Sequence, residues 1–226
     1  MSLAAVISSA QKPSLVVVHD PTKQAVATKM TPAEQALFER VALPRVRRII
    51  KEEVCSEGID ISGVAHGAFS RTGAVQSLVF YQYCQTGNGF GQAGLVLMDE
   101  GKVVGNFIAD AGWTIGVERV ADINWNGIDE FTLAYSGGLH QGQGGAGVDL
   151  MEFTDGKPVG FGWYKSEEYG DTQASAAWKL TAKPGPTPLF YRQKFTSRDG
   201  NKWRAVSTTT AAIKLGTTLS KFEAVK

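Results

Sequence analysis

Cysteine, histidine, long apolar runs and an excess of either charge are all scarce in this chain of 226 residues. No uncharged apolar stretch approaches the ~20 residues that cross a bilayer as a helix, so no membrane span is expected. Lys and Arg number 23 against 22 Asp and Glu, a formal charge of +1. A near-neutral chain has no broad field to gather phosphate backbones or anionic lipid, and nucleic acid is not an expected partner. The three histidines, His19, His66 and His140, and the two cysteines show no C-x-x-C or H-x-x-x-H spacing, which removes the usual zinc sites. The first residues, Met1 to Ile7, lack the basic stretch and apolar core of a signal peptide.

The two cysteines, Cys55 and Cys84, read in two ways. A disulfide between them would contribute roughly 3–4 kcal/mol in the chain-entropy picture and would imply an oxidising compartment. Two buried thiols in a reducing compartment are the alternative.

Glycine, by contrast, is abundant at 26 residues, without the G-X-Y period of collagen or the heptads of a coiled coil. With 43% hydrophobic residues a sizeable core can form. Residues 1–62 hold a short strand, Leu15 to Val18, and a helix start in which Thr31 is the N-cap, Pro32 the first helical residue and Glu34 the closing member of a capping box. Pro44 either kinks that helix or begins a second one, which would turn Val46, Ile49, Ile50 and Val54 to the core and leave Arg45, Arg47, Arg48 and Lys51 on a solvated face.

Over residues 63–226 the pattern becomes short β-rich runs parted by glycine, at 77–83, 94–98, 103–108, 130–135, 148–153, 178–181, 189–195 and 203–207. The run from Gly94 to Phe107 recurs from Gly147 to Phe161, each a strand, an acidic-Gly-Lys turn and a returning strand. Turn glycines at 101, 156 and 200 divide the region into approximate units 63–110, 111–165 and 166–226. A period near ~50 residues suits propeller blades or related stacked sheets. The expected fold class is mainly β: about three antiparallel units in an open or incomplete array, with a short helical N-terminal segment.

The segment between residues 120 and 133 carries the most chemistry. Oxygen-bearing side chains recur at Asp122, Asn124 and Asn126, Gly127 turns the chain, and the carbonyl of Ile128 and the carboxylate of Glu130 follow. Alternate residues of a tight loop aim their oxygens at one centre, as a hard cation such as Ca²⁺ requires. Only Asp122 and Glu130 are charged, which places the affinity at about 10⁻⁴–10⁻³ M. The same side chains can instead cap the turn through backbone N–H groups, with no metal.

This segment resembles the calcium loop of FG-GAP and VCBS-type repeats, which build integrin-like β-propellers and occur in exported bacterial proteins. The resemblance does not reach residues 1–62. It implies Ca²⁺ held by Asp122, Asn124, Asn126, Ile128 and Glu130, and recognition of a protein or glycan ligand. It further implies an extracytoplasmic location and, if the repeat ring is completed in trans, an oligomer. The corresponding loop one unit earlier, Phe69 to Gln76, lacks a carboxylate and contains Arg71, so no cation is expected there.

Two enzyme-like motifs fail on context. Gly142 to Gly147 matches G-x-G-x-x-G, but a strand follows where a dinucleotide site needs a helix. Ser136, within Ala134 to Gly138, imitates a nucleophile elbow without its helix or a paired histidine. A hydrolase alternative would draw on the Gly-rich loop 136–147 and on Asp149 or Glu152, although alternation with Leu150 turns Asp149 toward solvent. Trp113, Trp125, Trp163, Trp178 and Trp203 are expected mostly in packing, ahead of a carbohydrate-stacking surface. The leading expectation is a non-enzymatic exported binding or scaffold protein; a purely structural periplasmic accessory protein is the third reading.

Overall fold

The computed structural model describes residues 14–23, 29–49, 58–84, 91–140, 143–169, 175–198 and 202–225. The fold is mainly β, with 58% of the described residues in strands and 9% in helix. It opens with β1 (Val16–His19) and one helical segment, made of α1 (Pro32–Leu37), a π-helical turn (Phe38–Ala42) and α2 (Leu43–Arg47). The capping box forms as the sequence predicts: Glu34 N–H donates to Thr31 Oγ1 and Thr31 N–H to Glu34 Oε2. Pro44 has no N–H to donate and would crowd the preceding turn, and the wider π turn in front of it relieves both conflicts.

Two four-stranded antiparallel meanders follow. The first comprises β2 (Asp60–Gly67), β3 (Gln76–Tyr83), β4 (Gly91–Asp99) and β5 (Lys102–Ala111); the second comprises β6 (Trp113–Val120), β7 (Glu130–His140), β8 (Gln143–Thr154) and β9 (Lys157–Tyr169). Two of their irregularities coincide. Register shifts at Ile61/Gly63 and Leu97/Met98 in the first meander recur at Thr114/Gly116 and Leu150/Met151 in the second. These paired shifts fall at the same separation as the two copies of the sequence repeat. At the bulges the first strands meet reciprocally: a Cβ on Gly63 would lie 3.2 Å from the Val117 nitrogen, and one on Gly116 would lie 3.7 Å from the Ser62 carbonyl.

The meanders pack face to face over Phe69, Leu78, Phe80, Leu95, Phe131, Leu133 and Phe153. Along β3 the alternate residues Val79, Tyr81 and Tyr83 turn the other way and are covered by Leu37, Phe38, Ala42 and Val46 of the helical segment. Both faces of this strand are buried, which is why it reads as a continuous apolar run. Glu34 clips the helix to the sheet, accepting from His66 Nε2 at 3.0 Å and from Ser77 Oγ. Burial works to raise the Glu34 carboxyl, but these donors and the Thr31 N–H outweigh it and hold it down at about 2.

Residues beyond β9 extend the second sheet instead of forming one of their own. β10 (Ser175–Lys183) pairs with β9 and with β11 (Leu189–Ser197), and β11 carries β12 (Arg204–Ala205) and β13 (Ala211–Ile213) on its other side. β1 pairs with β10, and its Val18 shares a third apolar cluster with Val120, Ile123, Leu150 and Leu180. The chain then crosses back to pair β14 (Glu223–Ala224) with β5. Among the described residues neither sheet closes on itself.

The helical segment ends at Arg47 with Ile49 exposed; Ile50, Val54 and Cys55 lie outside the described residues. Cys84, directly after β3, takes a left-handed conformation, φ 52°, and among the described residues no cysteine is free. No helix among them is long and apolar enough to cross a membrane.

Candidate functional site

The predicted cation loop connects β6 to β7, pinned by Ile123, which is fully buried. Its side chains fold the loop through its own backbone. Asp122 Oδ1 accepts the Asn126 N–H at 3.2 Å and Oδ2 the Gly127 N–H at 2.8 Å. Asn124 Oδ1 also accepts the Asn126 N–H, and Asn126 Oδ1 accepts the Ile128 N–H, each at 3.0 Å. Two consecutive-but-one residues take left-handed backbone, Trp125 at φ 62° and Gly127 at φ 88°. For an exposed tryptophan this is an uncommon conformation, held here by the hydrogen bonds on either side of it.

Glu130 differs from the rest. It is fully buried at the start of β7, where Oε2 accepts the Ile123 N–H at 2.9 Å and Oε1 has no partner. Burial pushes its carboxyl up to about 7; the Ile123 N–H pulls against this, and the negative charges of Asp122 and Glu152 add to it. Glu152 was expected, if anywhere, in a hydrolase site. It stands instead beside this loop on β8, its Oε2 accepting from Asn124 Nδ2 at 3.0 Å and Asn126 Nδ2 at 2.9 Å. Neither Asp122, Glu130 nor Glu152 has an ion-pair partner among the described residues. The neighbouring Asp129 is spent elsewhere, on Arg119 at 2.7 and 2.8 Å and on the Ala68 N–H at 2.7 Å.

The loop between β2 and β3 supplies the comparison. Gln76 is nearly buried and accepts the Ser70 N–H at 2.8 Å, the role that Glu130 has in the second loop. Where the second loop faces Glu152, the first faces Asp99, and here a cation is built in: Arg71 donates from Nη2 to Asp99 at 3.0 and 3.1 Å. The second loop has a carboxylate where the first has a neutral glutamine, and it has no arginine. Its donor set is all oxygen, the type a hard cation takes, and Glu130 Oε1 is a buried acceptor with no hydrogen-bond partner among the described residues. Among the described residues no three His, Cys, Asp or Glu side chains already converge as a metal-ligating group. Amide and main-chain oxygens would have to complete a shell begun by Asp122 and Glu130.

The Gly-rich stretch borders a cavity of about 440 Å³ lined in part by Tyr135, Ser136, Gly147, Trp163, Lys165 and Ser220. Ser136 Oγ donates to the Gly137 carbonyl. Asp149, expected to face solvent, is fully buried. Its oxygens accept the N–H groups of Leu219 and Ser220 at 3.0 and 2.9 Å, and Ser220 Oγ donates to Tyr135 OH at 2.7 Å. Alternation put Asp149 on the correct side of β8 relative to Leu150, but that side is covered by the segment leading into β14. His19 lies against Glu118 and His66 against Glu34, so neither serves Ser136. No family model, curated protein or solved structure matches the chain.

Proposed function

We propose that the chain is a non-enzymatic extracytoplasmic binding or scaffold protein with repeats of FG-GAP type, braced by one weak Ca²⁺ at the β6–β7 loop. Asp122, Asn124, Asn126, the Ile128 carbonyl and Glu130 would hold the ion, with Glu152 adding negative charge behind the two asparagines. The bound ion would supply the positive charge that Arg71 supplies in the preceding loop. That contrast between the two copies carries the reading. The hydrolase alternative is disfavoured by Asp149, which is fully buried beneath Leu219 and Ser220 and does not line the cavity beside Ser136.

Equilibrium dialysis against calcium tests it. One ion per chain is expected, with a dissociation constant of about 10⁻⁴–10⁻³ M, and none for Asp122→Ala; no uptake by the wild type at millimolar calcium would defeat the proposal. The extracytoplasmic location rests on the family resemblance and on a Cys55–Cys84 disulfide, for which mass analysis without reductant is expected to show the chain two hydrogen atoms lighter than after reduction. Two free thiols would remove that support.

A further inference from the structure

Charge is not spread evenly along this neutral chain. Residues 91–174 carry 13 acidic and four basic side chains, whereas residues 175–226 carry two acidic and ten basic ones. Much of the acidic excess is absorbed by the fold: Glu130 and Asp149 are fully buried, and Asp99 and Asp129 are engaged by Arg71 and Arg119. Of the basic excess, Lys179 is paired with Asp20, but a group at β11 and β12 is not so engaged. Arg192, Lys194, Arg198 and Arg204 are exposed, and among the described residues none of the four is in an ion pair.

Register gathers them. Arg192 stands opposite Leu180 and Ala211, Lys194 opposite Trp178, and Thr196 opposite Ala176 and Arg204. Partners across an antiparallel ladder share a face, as do residues two apart along a strand. Arg192, Lys194 and Arg204 therefore project from one face of β10–β12, over roughly 13 Å of strand, and Arg198 follows at the strand's end. The Lys194 ammonium sits 5.6 Å from the centroid of the Trp178 ring.

We propose that this face is a docking strip for an acidic polysaccharide bearing uronate or sulfate groups. Guanidinium groups pair planar oxyanions in a bidentate manner, and a row with a pitch of about 7 Å per rung meets charges repeated along a polymer. Exposed Thr196 offers a hydroxyl within the row. A nucleic-acid strand fits less well, because its bases need open aromatic faces and Lys194 already covers Trp178. A second copy of this chain is a poorer partner, since many of its carboxylates are buried or paired. The proposal uses no residue of the cation loop and stands or falls without it.

The test applies the full chain, in EDTA, to immobilised heparin and polygalacturonate, with single-stranded DNA and phosphatidylglycerol vesicles as parallel arms. Retention on the polysaccharides is expected, weakening about tenfold or more as salt rises from about 0.05 to 0.2 M. The variant R192Q/K194Q/R204Q should lose about tenfold in affinity, some 1.4 kcal/mol, with an unchanged thermal midpoint. R45Q/R47Q/R48Q removes the same charge from the exposed face of α2 and should bind as the wild type does. The proposal is overturned by no retention on either polysaccharide, by an equal loss in the α2 variant, or by tighter binding to DNA or vesicles.

Discussion

Glu130→Gln is expected to stabilise the metal-free protein at pH 8 by up to about 3 kcal/mol while abolishing its response to calcium. The first half follows from the raised carboxyl of Glu130, whose ordinary value is 4.5 and whose value in the fold is about 7. A group raised on folding contributes stability that is fully present below its unfolded value and is lost as pH rises through the folded one. For Glu130 the window runs from about 4.5 to about 7. Above it the fold must hold an ionised, half-unpartnered carboxylate out of water. Glutamine keeps the acceptor for the Ile123 N–H and carries no charge, as Gln76 does for Ser70. The second half follows because a cation needs the ionised carboxylate. Urea unfolding in EDTA at pH 5 and pH 8 checks the sign: the two proteins should be close at pH 5, with the variant ahead at pH 8.

Asp149→Ala is expected to destabilise the chain by about 3 kcal/mol. Alanine would remove the acceptor of the Leu219 and Ser220 N–H groups, and the buried Ser220 also donates its hydroxyl to Tyr135 OH. The segment that reaches β14 should then detach before the rest of the fold unfolds. Hydrogen exchange at Leu219 and Ser220 is expected to accelerate in the variant well beyond exchange in β3 and β4. Uniform acceleration across all strands would mean that Asp149 supports the global core and not this segment.

What could be read in the sequence was what depends on near neighbours. The capping box at Thr31 and Glu34 is a relation over three residues, and the alternating oxygens from Asp122 to Asn126 are a relation over two. β2 and β6 were not anticipated as strands because Gly63 and Gly116 fall in them at register shifts, breaking the alternation that marks a strand. Glu152 could not be placed at the loop from spacing alone. The β7–β8 register, with Phe131 opposite Met151, puts it beside Glu130. A signal was available all the same: the internal repeat aligns Glu152 with Asp99, and Asp99 answers to Arg71. For Asp149, alternation gave the side of the strand but not the cover, which arrives from Leu219 and Ser220, about seventy residues away.

The cation at the β6–β7 loop is the central claim, and calcium-dependent thermal unfolding of the wild type at pH 8 tests it most directly. At 10 mM calcium, with a dissociation constant near 0.3 mM, binding would add about 2 kcal/mol. For a chain of this size that is a rise of roughly 4–8 °C in the midpoint. The rise should shrink at pH 5.5, where Glu130 holds its proton, and should vanish in Asp122→Ala. An unchanged midpoint in calcium at pH 8 would contradict the account and leave the loop as a turn held by its own side chains.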